Sequence, residues 1–216
     1  MYRSEKLRKE EYPMKRLLAM LAAMMLLAMP ALAEDDDLAE RQAAANAAIA
    51  RVLLDGEAYI PMKADDRMPA EWNAVRFTVL DMDGDGVTEV VVELTDWEAF
   101  VVLNSGGDTV YGSEIVYRGL LDLKDDGTFT YSSGAMDNGV AVLSFRSGGT
   151  DALQLGYLPL AECRLEDDGS VTYWLDGGIE RTDEAGYLAF ITQQSAKLDA
   201  IWYDFTPENI RMLLGQ

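Results

Sequence analysis

The spacing of apolar residues shifts early along this chain, from a helical period near its start to a period of about two from Val75. In DLAERQAAANAAIARVLLDG (37–56), Leu38, Ala45, Ile49, Val52 and Leu53 fall on one stripe of a helix. Asp37 is placed to cap its start and Gly56 to close its end. An amphipathic helix of this kind needs a sheet or another helix to cover its stripe. The next piece, YIPMKADDRMPAEW (59–72), holds two prolines and reads as a loop. Then VRFTVL (75–80), EVVVEL (89–94), AFVVLN (99–104), TVYG (109–112) and EIVYRGLLDL (114–123) read as consecutive strands.

Two later pieces resemble each other, LKDDGTFTYSSG (123–134) and LEDDGSVTYWLDGG (165–178). Each sets Asp-Asp-Gly before a Thr/Ser-aromatic strand, the chemistry of a tight turn with glycine at positive φ. Their flanks differ, so they mark a recurring turn and not a repeated domain. GVAVLSF (139–145) and DALQLGYLPL (151–160) add strands, and SSGAMDNG (132–139) reads as a long hairpin loop. The chain turns helical again at DEAGYLAFITQQSAK (183–197), with Thr182 as its cap. IWYDF (201–205) is a short strand or turn anchored by Trp202, and Thr206-Pro207 opens a last helix. The sum predicts an α+β fold: a mainly antiparallel sheet, an N-terminal amphipathic helix and C-terminal helices. No Pro-, Gly- or Ser-rich linker interrupts residues 34–216, which read as one domain.

Between two β-branched runs lies the stretch TVLDMDGDGVTEVVVEL (78–94), where Asp81, Asp83, Asp85 and Glu89 occupy positions one, three, five and nine. Val87, at position seven, offers a backbone carbonyl, and Gly84 and Gly86 let the loop curl so that these oxygens converge. That is how one loop surrounds a hard cation such as Ca²⁺, whereas Mg²⁺ usually keeps a shell made largely of water. Without an ion, four neighbouring carboxylates raise one another's pKa. An EF-hand would carry an acid at position twelve between two helices; here position twelve is Val92 and both flanks are strand-like. Asp-Gly-Asp-Gly is also sound hairpin chemistry with no metal, and that alternative stays open at this point.

The stretch resembles the DxDGDGxx(D/E) loop of FG-GAP and VCBS-type repeats. Carried over position by position, the resemblance implies calcium ligands at Asp81, Asp83, Asp85, the Val87 carbonyl and Glu89. Those families repeat the motif to build propellers; this chain holds one copy, so a single calcium-loop hairpin is expected and not a propeller. More broadly, the segments Phe77–Glu89, Asp126–Ala135 and Trp202–Ile210 resemble small secreted proteins of gut-dwelling Gram-positive bacteria.

Composition fits an extracellular setting. Met14-Lys15-Arg16, the apolar LLAMLAAMMLLAM (17–29) and Ala31-Leu32-Ala33 have the order of a secretory signal peptide cleaved after Ala33. On that reading translation starts at Met14, and residues 1–33 are an extension plus signal; an uncleaved anchor is the alternative. Residues 1–33 hold six of the 18 Lys and Arg and three of the 38 Asp and Glu, so the remainder carries a net charge of −23. Such a field disfavours nucleic acid and anionic membrane as partners and favours cations. The single cysteine, Cys163, excludes an internal disulfide and reads as a small buried side chain.

The absence of histidine removes Ser–His and Cys–His triads and most catalytic zinc sites. Catalysis would need a carboxylate pair, as in a hydrolase, and with so many acids no pair stands out. Tyr131, Tyr173, Trp174 and Trp97 could form a stacking face for an extracellular glycan or peptide, with core packing as the plainer role. The expectation is a secreted, non-catalytic domain with a structural Ca²⁺ and an extracellular protein or glycan as partner. Asp81→Ala and Asp85→Ala are then expected to lower the melting temperature only when calcium is present.

Overall fold

A computed structural model describes residues 37–62, 73–95, 99–116, 118–134, 137–147 and 153–216. The secretion signal read at 14–33, most of the 59–72 loop and Trp97 lie outside the described residues. The chain divides into two compact units, 1–41 and 42–216; of the first, the described part is the helical stretch 37–41. Among the described residues no helix is long and apolar enough to cross a membrane.

Helix α1 runs over 37–50 and widens into a π-helical last turn, Arg51–Asp55. Gly56 ends it at φ 71°, donating its N–H to the Arg51 carbonyl, a left-handed close that glycine adopts without a Cβ penalty. Asp37 is already helical, so the N-cap falls outside the described residues. Of the predicted stripe, Ala45, Ile49, Val52 and Leu53 are buried.

The strands form two sheets. The first has six: β1 (Ile60–Pro61), β2 (Ala74–Leu80), β3 (Glu89–Leu94), β4 (Phe100–Gly106), β5 (Thr109–Ile115) and β11 (Tyr203–Asp204). Their order is β1-β5-β4-β3-β2-β11, antiparallel except for the parallel β1–β5 pair. The second is antiparallel throughout, in the order β10-β9-β8-β7-β6. It holds β6 (Phe129–Ser132), β7 (Asn138–Ser147), β8 (Leu153–Leu165), β9 (Val171–Leu175) and β10 (Glu180–Thr182). Helices α2 (Glu184–Ser195) and α3 (Pro207–Leu214) complete an α+β fold that is neither a closed barrel nor a propeller.

The β3 sequence explains the layering. EVVVEL is apolar without alternation, as a strand covered on both faces must be. Val90 and Val92 pack with Phe77, Val101 and Leu103 against Ile49 and Val52 of α1 and Ile210 and Leu214 of α3. Val91, with Leu80, Val102 and Ile115, points the other way, onto Phe129, Ala141 and Leu143 of the second sheet. A third cluster joins Tyr187, Phe190 and Ile191 of α2 to Ala161, Cys163 and Tyr173.

Four details depart from the pattern reading. TVYG and SEI are one strand, β5, with Gly112 inside it; a Cβ there would lie 2.5 Å from the Tyr59 ring, so glycine marks a close approach and not a break. Beyond Ile115 the chain leaves the sheet, and Leu120 and Leu123 are buried from a turn that touches β6 through a bridge between Leu121 and Thr130. The α2 cap is Asp183, whose carboxylate accepts the Gly186 N–H, because Thr182 is paired with Tyr173 in β10. Finally, the segment 198–204 bonds to the turn before β6 and to the first sheet: the Ala200 N–H donates to Leu123 O, the Asp125 N–H donates to Leu198 O, and Tyr203–Asp204 pairs with β2. That segment ties the turn to the edge of the first sheet.

Candidate metal centre

The acidic loop connects β2 to β3, whose residues pair from Leu80↔Glu89 onward. Local hydrogen bonds hold its shape. The Asp81 carboxylate accepts N–H groups from Gly84 at 2.7 Å and Gly86 at 2.9 Å. Asp83 accepts the Asp85 N–H at 3.2 Å, and Asp85 accepts the Val87 N–H at 2.7 Å. Gly84 and Gly86 sit at φ 81° and 87°, a region other residues rarely adopt.

Two elements brace the loop. The Gln42 side chain of α1 accepts the Thr88 N–H at 2.9 Å and donates to Thr88 Oγ1 at 2.8 Å. From the other side, the Asp125–Gly127 turn rests on the loop backbone. A Cβ on Gly127, whose φ is 76°, would lie 2.4 Å from Asp81 O and 3.0 Å from Met82 Cα. Gly127→Ala therefore combines a disfavoured backbone with a clash, and is expected to cost about 2–4 kcal/mol in denaturant unfolding. A cost below about 0.5 kcal/mol, the range of ordinary surface substitutions, would show that the turn does not bear on the loop.

Carboxylate oxygens of Asp81, Asp83 and Glu89 all lie within 4.8 Å of one another. Asp85 is outside this group: it is exposed, with an oxygen turned back onto the Val87 N–H. Val87 is buried. Glu89 begins β3 on the same face as Val91 and is 1 % exposed. Its two oxygens accept the Met82 N–H and the Asn104 amide, each at 2.8 Å.

Burial pushes the Glu89 carboxyl up to about 8; the Met82 N–H opposes that rise, and the charges of Asp83, Asp85 and Asp81 add to it. Asp83 is raised too, by burial and then by Asp85, with Asp81 adding less. The two raised carboxyl groups thus stand close together at the buried end of the loop.

A hard dication fits this donor set. All donors are oxygens, and two ligands of one calcium ion, each about 2.3–2.6 Å from it, stand at most about 5 Å apart. Gln42 and Asn104, which brace the loop and Glu89, escaped the sequence reading. Asn104 does close an apolar run with an amide, but nothing local to Gln42 announces a partner 46 residues away.

No protein-family model, curated protein or solved structure matches this chain.

Among the described residues, the aromatics singled out above do not all share a face: Tyr131 and Trp174 lie in one cross-strand row with Gly139 and Glu162, and Tyr173 lies on the other face. Tyr131 donates its hydroxyl to Glu162 at 3.0 Å and packs on Tyr157. Tyr173 packs on Tyr187 of α2. Trp174 lies near the guanidinium groups of Arg164 and Arg181, about 6 Å from each. Cys163 is buried, and burial pushes its thiol up, away from reactivity.

Proposed function

We propose that this chain is a secreted, calcium-binding, non-catalytic domain in which the ion serves the fold, leaving the surface to bind an extracellular protein or glycan. The observation that carries this reading is the convergence of Asp81, Asp83 and Glu89, one of them buried, in a loop braced from two sides. Those three residues would hold the ion. Asp85 and the Val87 carbonyl, placed by the spacing of the motif, are the further candidates. The bound ion would supply positive charge that offsets the carboxylates and ties the β2–β3 turn to the buried end of β3.

Extracellular sites of this class have Kd values on the order of 10⁻⁴–10⁻³ M, well matched to millimolar calcium outside cells. Calorimetric titration of the purified protein tests the reading. One Ca²⁺ per chain is expected, with binding at least about tenfold weaker for Mg²⁺, whose strict octahedral shell gives up water reluctantly. No heat with either ion would sink the proposal and leave an acidic hairpin. Equal affinity for both would sink the assignment to calcium.

A further inference from the structure

A cleft of about 450 Å³ is lined by residues of β2, β3 and β4, of the 120–123 turn and of the segment 199–202. One wall is apolar and aromatic, with Phe100, Leu120 and Trp202, the Phe100 and Trp202 rings 5.9 Å apart. Four lining residues are charged. Arg76 pairs with Glu93 and lies over the Trp202 ring at 4.7 Å. Opposite, Asp122 at 2.8 Å and Asp199 at 2.7 Å share one ammonium group, that of Lys124. The Lys124 side chain is buried, whereas that of Asp199 is 79 % exposed. Among the described residues, the lining carboxylates Glu93, Asp122 and Asp199 are thus paired with Arg76 and with the buried Lys124, three negative charges against two positive ones. Leu198 is 74 % and Ile201 is 68 % exposed, next to Asp199 and Ala200 in the chain.

We propose that this cleft receives a peptide, with a lysine or arginine side chain at Asp122 and Asp199 and an apolar neighbour against the Phe100–Trp202 wall. The charge surplus selects a cation, and a third positive charge balances the three carboxylates. The aromatic wall selects an apolar group within a few ångströms of it. A cationic group and an apolar group held side by side in a cleft of about 450 Å³ are what two adjacent side chains of a peptide supply. None of the lining residues belongs to the 81–89 loop, so this inference stands or falls separately from the ion.

The test is fluorescence anisotropy with three pools of labelled hexapeptide amides, each with a leucine–X–leucine centre in which X is lysine, norleucine or glutamate. The lysine pool is expected to bind saturably and more weakly as salt rises, with the other two at least about tenfold weaker. Asp199→Asn, which leaves Lys124 its partner Asp122, is expected to weaken the lysine pool about fivefold to tenfold. Equal binding by the three pools, or no saturable binding by any, would overturn the proposal. So would undiminished binding by a folded Asp199→Asn protein, or binding of cellohexaose in place of the peptides, which would assign the cleft to a glycan. If a variant fails to fold, the comparison of pools on the parent protein still decides.

Discussion

Glu89→Gln is expected to stabilise the ion-free protein at pH 8 and to remove its response to calcium. The Glu89 carboxyl is pushed up to about 8 from an ordinary value of 4.5, with burial as the leading cause. Between those values the folded protein binds a proton that the unfolded chain releases, so stability falls as pH rises through this window. The contribution is fully present below about pH 4.5 and lost above about pH 8, with a total on the order of 4 kcal/mol. Most carboxylates act in the opposite direction, which makes the effect diagnostic. Glutamine removes the charge and keeps both hydrogen bonds: its oxygen accepts the Met82 N–H, and its amide donates to Asn104 once that amide turns over. In chelator at pH 8, Glu89→Gln should therefore gain about 2–4 kcal/mol over the parent, and the gain should vanish near pH 5. A variant that is less stable at both pH values would show that the buried carboxylate is not held at a cost.

Asp83→Asn separates the ion from the architecture of the loop. Asp81 is a poor probe, because its carboxylate accepts the Gly84 and Gly86 N–H groups. Removing it gives up two solvent-exposed hydrogen bonds, each worth about 0.5–1.5 kcal/mol net, with or without calcium. The expectation that Asp81→Ala acts only through the ion is thereby revised. Asp83 accepts one longer bond, from the Asp85 N–H at 3.2 Å, and its ionised form is disfavoured by burial and by its acidic neighbours. Its amide variant should melt within about 1 °C of the parent in chelator, yet lose most of the calcium-induced rise. Asp85→Ala, outside the converging group, should weaken calcium less than Asp83→Asn does. Equal melting losses for Asp83→Asn in chelator and in calcium would assign the loop a purely structural role.

Much of this fold is written locally. The unbroken valine run of β3 announces a strand buried on both faces, and Thr206-Pro207 announces a helix whose cap forms as expected, with Thr206 accepting the Asn209 N–H. The Asp-Asp-Gly turns place Gly127 and Gly169 at positive φ, as their composition predicts. What local pattern does not carry is partnership at a distance. Gly112 looks like a strand breaker until Tyr59, 53 residues earlier, is seen lying over it. Ile60–Pro61 looks like a loop because two residues, one unable to donate, make a strand only where β5 offers an edge. The split into two sheets follows from which valine faces which partner, and alternation alone does not state it. The candidate site divides in the same way. The spacing of acids points to Asp81, Asp83 and Glu89, but Asp85 shares that spacing and turns elsewhere, because its carboxylate satisfies the Val87 N–H.

Thermal melting of the protein and of Glu89→Gln, each in chelator, in magnesium and in millimolar calcium, tests the central claim most directly. A site with Kd near 10⁻⁴ M, at ten times that concentration of Ca²⁺, stabilises the fold by about 1.4 kcal/mol. For a domain of this size that is a rise of about 3–5 °C. The predicted result is such a rise for the parent in calcium, a smaller one in magnesium and none for Glu89→Gln. A parent protein that melts at one temperature in all three conditions, or a variant that keeps the calcium shift, would contradict a structural ion at Asp81, Asp83 and Glu89.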